Sequence, residues 1–362
     1  MGSDALTAQR TAPAIGPTRA PRIYAFPSRG IAYCDALYPT VARLGVDAVE
    51  GRCSVRWVLA SVRPGDALHV HWPSFLYHEP GASLATWRRV ARLAALLAAA
   101  RLRGARVLWT AHNLYPHEGG SALPVHRVAR RVVVRLSHRI FAHGPTAAAL
   151  VAAEFGAAAA KLVVVPHGHW IDHYPPARPR ATARAALGMP DGRFVYGVVG
   201  HLKPYKRLEA LLDVVEQLPS RHALLVAGLF ADAGYRRAIE ARVARMPAER
   251  VVLRPGFLGG EELRDCVCAV DALVLPYRAI LTSGSALLAL GFGRPVVAPR
   301  LGGLADVVRP SNGVLYDAGA PDGLRDALRE VAERRFDAEA LVARARSFDW
   351  NETAARLVEA IR

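Results

Sequence analysis

Lysine is nearly absent from this 362-residue chain: only Lys161, Lys203 and Lys206 stand among its 47 basic residues. The formal net charge of +16 is therefore carried by arginine scattered through a chain rich in Ala, Gly and Pro. Such diffuse charge is weak ground for a nucleic-acid partner. A stripe of interleaved basic and aromatic residues is also missing, so no nucleic acid is expected. Cysteine is scarce, with four residues (Cys34, Cys53, Cys266, Cys268), which excludes a disulfide framework. Cys266-x-Cys268 has neither a second pair nor a nearby His to complete a zinc site, and reads as a pair of small buried apolar groups. No H-E-x-x-H spacing occurs, and no Asp-x-Asp pair could hold a nucleotide-bound divalent ion, so no metal and no cofactor are expected. No uncharged apolar run reaches the ~18 residues of a membrane span. Residues 1–20 lack an apolar core segment, so no signal peptide is expected. A cytoplasmic location follows as an expectation, with contact at the inner face of the cell membrane.

Charge is also sparse overall, at 22% against 52% hydrophobic residues, which excludes a mostly disordered chain. The length is enough for about two domains at roughly 100–200 residues each. The two halves differ in charge. Residues 1–177 carry 20 basic and 9 acidic residues, and residues 178–362 carry 27 and 22. Between Gly81 and Ala153 there are eleven arginines and a single acid, Glu118.

After a loose tail over residues 1–20, short apolar runs alternate with helical stretches. Strands are predicted at Arg22–Phe26, Ala67–His71, Val107–Ala111, Arg139–Ala142 and Leu162–Val165, with helices near Trp87–Arg103 and Val125–Ser137. A Pro-rich segment, Tyr174 to Arg180, reads as a linker. The pattern then restarts with strands at Phe194–Gly200, Ala223–Ala227, Val251–Leu253, Ala272–Leu275 and Pro295–Ala298. Helices fall near Arg207–Gln217, Tyr235–Arg245, Gly260–Val270 and Ser285–Gly291. Strands alternating with helices of this length make βαβ units around a parallel sheet. Two such halves predict an α/β protein with two doubly wound, Rossmann-like domains facing across a cleft, and ligands bind at the carboxyl ends of such strands.

Polar residues gather at those strand ends. One strand runs into His69-Val-His-Trp-Pro73, containing His71 and Trp72. The next runs into His112-Asn-Leu-Tyr-Pro-His-Glu118, and a third into His167-Gly-His169 followed by Asp172. A lone loop histidine is usually a satisfied structural one, but this clustering favours function for His112 and Glu118. In the second half, Gly200-His-Leu-Lys-Pro-Tyr-Lys206 follows a strand directly. Gly200 permits a tight turn, and Lys206 at a helix start would set a cation beside the positive end of the helix dipole, a seat for diphosphate. Thr282-Ser-Gly-Ser285 at another helix start offers amides and hydroxyls for phosphate oxygens, with simple N-capping as the alternative. Gly302-Gly303 would let the backbone approach a ligand.

In order and spacing these blocks resemble the GT-B glycosyltransferases over nearly the whole chain after the tail. Gly200 to Lys206, with His201 in place of the usual Arg, resembles the G-R-L-x-x-x-K segment of that family. Gly302-Gly-Leu-Ala-Asp306 resembles G-G-x-x-E, Asn312-Gly-Val-Leu resembles N-G-x-L, and Ser347-Phe-Asp-Trp350 resembles the lead-in to the last helix. The usual pair of donor-binding glutamates is missing, and Leu281 and Ala289 hold those positions. A narrower group shares that loss and the blocks quoted, together with Leu275-Pro-Tyr-Arg278: the GDP-mannose:glycolipid β-1,4-mannosyltransferases of xanthan assembly.

The resemblance implies an acceptor-side domain over 21–177, a nucleotide-sugar domain over 178–345 and a helix over 346–362 crossing back to the first. It implies transfer of mannose from GDP-mannose, with inversion, to a lipid-diphosphate-linked oligosaccharide of exopolysaccharide assembly. Glu118 would be the general base and His112 would orient the donor sugar or share that role, with Asp35 and Asp172 as fallback bases. Gly200, His201, Lys206, Arg278, Ser283, Gly284 and Ser285 would hold the donor. His71, Trp72, His167 and His169 would line the acceptor side, and Pro255–Leu258 would lie beside the base. The basic first half would rest on anionic lipid headgroups. The alternatives are a UDP-sugar donor, a nucleotide-sugar epimerase and a non-catalytic scaffold.

Overall fold

The computed structural model describes residues 19–78, 84–116, 123–189 and 192–362, so Glu118 lies outside the described residues. Twelve strands form two six-stranded sheets. The first contains β1 (Arg22–Phe26), β2 (Asp47–Glu50), β3 (Ala67–Val70), β4 (Arg106–Thr110), β5 (Arg139–His143) and β6 (Leu162–Val165). The second contains β7 (Phe194–Val199), β8 (His222–Gly228), β9 (Val251–Pro255), β10 (Ala272–Val274), β11 (Val296–Pro299) and β12 (Gly313–Tyr316). All pairings are parallel, in the orders β2-β1-β3-β4-β5-β6 and β12-β11-β10-β7-β8-β9. Each order reverses beside its first strand, at β1/β3 and at β7/β10, giving the doubly wound topology in which crevices open at the carboxyl ends. The fold class predicted from the alternation is the one observed.

The apolar runs became strands because helices cover both faces. β8 (HALLVAG) is buried along its whole length, as a central parallel strand requires. Two short strands escaped the sequence reading. Both sit at sheet edges and span four residues: β2 (DAVE) is partly exposed with a mixed pattern, whereas β12 (GVLY) is mostly buried but starts within the turn-like Asn312-Gly313. The helix Ala32–Arg43 was also missed, because Pro39 interrupts its pattern.

Several contacts join the halves. The last helix, Trp350–Ile361, packs on Ala32–Arg43 beside the first sheet. Trp350 Nε1 donates to the His169 carbonyl (2.7 Å) and Thr353 Oγ1 to the Pro166 carbonyl (2.7 Å). Gly168, at φ +44°, receives the Trp350 ring so closely that a Cβ would lie 2.0 Å from Cδ2. Asp306 reaches the opposite half, accepting from Thr146 N (3.0 Å) and Thr146 Oγ1 (2.7 Å). Leu281 is buried within the apolar cluster of the first half. Burial of Leu281 and Ala289 gives a physical reason for the missing glutamates: a carboxylate at either position would be desolvated.

Candidate active site

The carboxyl ends of β1, β3, β4, β5 and β6 converge on one ring, Tyr33, in the first turn of the helix Ala32–Arg43. Around it stand His71, His112, His143, His167 and Trp350, with centroids 4.5–5.5 Å from the Tyr33 ring. Trp72 stacks on His112 at 4.2 Å and 13°. Aromatic and imidazole edges packed face to edge gain quadrupolar as well as dispersion energy, which fixes the ring planes.

Hydrogen bonds order this cluster. Tyr38 hydroxyl lies 2.6 Å from His71 Nε2 and 3.0 Å from His69 Nδ1. His69 Nε2 lies 2.8 Å from Thr110 Oγ1, and His71 Nδ1 lies 3.1 Å from His112 Nε2. His71 was expected on the acceptor side. It is fully buried with both ring nitrogens bonded, so it holds His112 and meets no acceptor. His112 and Trp72 are half-buried and stacked together at the cleft. His167 packs against Gly284, where a Cβ would come within 3.0 Å of the imidazole. His169 contributes mainly backbone: its N–H donates to the Phe348 carbonyl and its carbonyl accepts from Trp350.

Burial keeps these imidazoles neutral. His69 is pushed down to about 3 and His167 to about 4 by desolvation. His71, His112 and His143 lie well below the usual imidazole value, first through burial and then through neighbouring imidazoles. Unfolding restores values near 6.5, so the unfolded chain binds more protons in acid. The stabilisation is complete above about pH 6.5 and is lost as pH falls through about 4. A melting temperature that drops steeply over this interval is expected, with a shallower drop in His167→Gln. A flat profile would contradict burial of the cluster.

Facing this cluster, the second half presents its own turns. Gly200 ends β7 at φ +104°, followed by exposed His201 and a 3-10 turn, Pro204–Lys206. Lys206 was expected to open the next helix. It closes the 3-10 turn instead, and Arg207, at φ +51°, separates it from Leu208–Gln217. The Lys206 side chain is 4% exposed, with Nζ 5.7 Å above the Tyr277 ring. Among the described residues no carboxylate pairs with it. Arg278 N donates to the Tyr205 carbonyl (2.9 Å), which brings the Arg278 loop against the Lys206 turn. Ser283 occupies the N-cap position of the helix Gly284–Gly291, yet its side chain makes no capping bond. Gly302 and Gly303 were expected to approach a ligand. They approach the chain itself: a Cβ on Gly302 would meet the Ile280 carbonyl at 2.2 Å, and Gly303 N donates to the Leu281 carbonyl.

Between the halves lies a cavity of about 160 Å³ lined by His143, His167, Thr282, Ser283, Gly303 and Asp306 among others. A larger one, about 560 Å³, opens beside β1 and β2 and contains Asp35 and Glu50. Asp35 is exposed and accepts from Gly30 N, while Asp172 is exposed on the interdomain segment. Sequence reasoning missed Tyr33, Tyr38, His143 and Glu50. Only His143 carried a signal, as one more polar residue at a strand's carboxyl end.

Two doubly wound domains, with an imidazole cluster at the strand ends of one and a buried lysine and a helix start in the other, make the architecture of a two-domain cleft enzyme. Residues 193–334 match the family model described as "Glycosyl transferases group 1". The chain is 32% identical over 295 residues to the GDP-mannose:glycolipid 4-beta-D-mannosyltransferase of Xanthomonas campestris pv. campestris, covering 78% of this chain and 77% of that protein. A D-inositol 3-phosphate glycosyltransferase 1 of Catenulispora acidiphila is 29% identical, covering 75% and 69%. In fold, HepE of Anabaena in complex with UDP-glucose superposes with a TM-score of 0.71 at 18% identity, covering 94% and 99%. The chain belongs to the group 1 glycosyltransferases of the GT-B architecture.

Proposed function

We propose that this glycosyltransferase moves mannose from GDP-mannose, with inversion to a β linkage, onto a lipid-diphosphate-linked oligosaccharide in exopolysaccharide assembly. The observation that carries this reading is the 32% identity, over most of both chains, to the Xanthomonas mannosyltransferase. The shared absence of the paired glutamates, at Leu281 and Ala289, agrees with it.

Inversion needs a base on the acceptor hydroxyl as the anomeric carbon gains positive character. Glu118 is that base in this reading, with His112 on the donor sugar, Trp72 and His167 on the acceptor side, and Asp35 and Asp172 in reserve. The departing nucleotide builds charge on its β-phosphate. Lys206, Arg278 and the amides and hydroxyls of Ser283, Gly284 and Ser285 stabilise it without a divalent ion, while Gly200 and His201 shape the turn beneath it. A cation buried without a carboxylate is costly unless an anion arrives, which is why Lys206 suits a diphosphate. In this reading Phe257, 79% exposed two residues beyond β9, stacks on the base.

Thermal shift against GDP, UDP, ADP and their mannose or glucose conjugates, with chelator present, tests the donor, because ligands of the native state raise the melting temperature. A GDP-selective shift is expected, and a UDP-selective one would discard mannose from GDP. Lys206→Ala should weaken GDP binding roughly 10–100-fold, the scale of a charged hydrogen bond at ~1.5–3 kcal/mol.

The membrane reading rests on the helix Leu84–Leu102. Leu84 and Trp87 are exposed there beside Arg88 and Arg92, and Phe75 is exposed on the short helix packed against it. Among the described residues no helix is long and apolar enough to cross a membrane. Co-sedimentation with vesicles containing anionic lipid, and none with neutral vesicles, is expected. Equal binding to both would remove the arginines from the explanation.

A further inference from the structure

Five side chains form one unbroken chain of hydrogen bonds running from the interior to the cleft: Thr110, His69, Tyr38, His71 and His112. Each neutral imidazole has one N–H and one acceptor nitrogen, and each hydroxyl has one proton to donate. With the imidazoles neutral and the Tyr38 proton given to one of its two neighbours, the chain runs in one of two opposite directions.

The distances choose between the two. The Tyr38 hydroxyl lies 2.6 Å from His71 Nε2 and 3.0 Å from His69 Nδ1. An O–H donor makes the shorter kind of bond, and an N–H donor to oxygen has its commonest distance at about 2.9–3.0 Å. Tyr38 therefore donates to His71 Nε2 and accepts from His69 Nδ1–H. His69 Nε2 is then an acceptor, supplied by the Thr110 hydroxyl at 2.8 Å. His71, accepting at Nε2, carries its proton on Nδ1 and donates to His112 Nε2 at 3.1 Å. His112 is left with its proton on Nδ1, in a ring plane fixed by stacking on Trp72.

We propose that Thr110, His69, Tyr38 and His71 are positioning residues that hold His112 in the Nδ1–H tautomer, so that it meets its ligand as a hydrogen-bond donor and takes no part as the base. This rests on the reading of the cleft as a sugar-transfer site only for the identity of the oxygen that His112 meets. A donor there suits a hydroxyl or phosphate oxygen of a nucleotide sugar. It also leaves proton abstraction to a carboxylate. No bond is made or broken by the relay itself. It sets one tautomer through four others, none of which needs to reach the substrate.

The test reads the tautomer directly, in long-range proton–nitrogen correlation spectra of the full-length protein labelled at histidine nitrogens. His112 is assigned by the signal that disappears in His112→Gln. The expected wild-type result is a protonated Nδ1 and a bare Nε2 on His112. Tyr38→Phe keeps the ring and its packing but removes the hydroxyl that joins two imidazoles, and should leave His112 a mixture of tautomers. Thr110→Val removes the donor at the far end and should do the same, while Thr110→Ser restores the single tautomer. This second pair stands even where Tyr38→Phe does not fold. A protonated Nε2 on wild-type His112 would overturn the proposal, as would a single Nδ1–H tautomer that survives Tyr38→Phe or Thr110→Val. Because the spectra are taken without ligand, failure to bind GDP-mannose would defeat the donor reading and leave this result standing.

Discussion

Glu118→Gln is expected to lower sugar transfer by roughly 10²–10⁴-fold, the range spanned by loss of a general base. Affinity for GDP should stay within about twofold of the unaltered enzyme, since the amide keeps the size and polarity of the side chain while losing the proton-accepting charge. The two measurements are separable because the proposed seat for the diphosphate, at Lys206, Arg278 and Ser283, lies on the opposite half of the molecule. A parallel loss of turnover and GDP affinity would move Glu118 from base to donor ligand and return Asp35 and Asp172 to consideration. A His112 that presents Nδ1–H cannot accept the acceptor's proton, so His112 does not substitute for the missing carboxylate.

Gly168→Ala should have the largest effect on stability. Gly168 sits at φ +44°, where an L side chain is strained, and a Cβ would lie 2.0–2.5 Å from three atoms of the Trp350 ring. The ring cannot retreat, because its Nε1 is bonded to the His169 carbonyl and its face meets Tyr33 and His167. Overpacking costs roughly 1–3 kcal/mol and backbone strain about another 1. At ~2.1 cal/mol/K per residue, 362 residues melting together shift by about 1.3 °C per kcal/mol, so the melting temperature should fall by about 3–5 °C. Calorimetry decides the matter. A fall of less than about 1 °C would mean that the last helix does not dock Trp350 on this glycine in solution. The lesion also bears on activity, since the docked ring is one wall of the imidazole cluster.

Much of the fold was legible in the residues. Short apolar runs between helical patterns, broken once by the Pro-rich segment Tyr174 to Arg180, gave ten of the twelve strands. The two that escaped are edge strands of four residues: β2 (DAVE) is partly exposed and carries acids at both ends, and β12 (GVLY) is mostly buried but starts within Asn312-Gly313, which reads as a turn. The site was legible to the extent that polar residues collect where strands end, which found His71, Trp72, His112 and His167. Tyr33 and Tyr38 were invisible for an ordinary reason: a tyrosine in a packed helix commonly does no more than fill space, and nothing in the sequence marks these two as the hub and the bridge. Lys206 was found, but its setting was misjudged. A proline at position 204 starts a 3-10 turn, and the left-handed Arg207 delays the helix by one residue.

By itself the sequence determined the class of this protein: parallel α/β architecture in two halves, a cleft at the strand ends, and membership of a glycosyltransferase family written in short ordered blocks. Those features are local, set by periodicity, turn chemistry and residues within one loop. Only the tertiary structure decided what each histidine does. His71 turned inward to Tyr38 and His112, Asp306 crossed to Thr146, and Leu281 entered the core of the opposite half. Such partnerships depend on which strand ends and which helix starts meet in space, across separations of 30 to 160 residues that no spacing in the chain records.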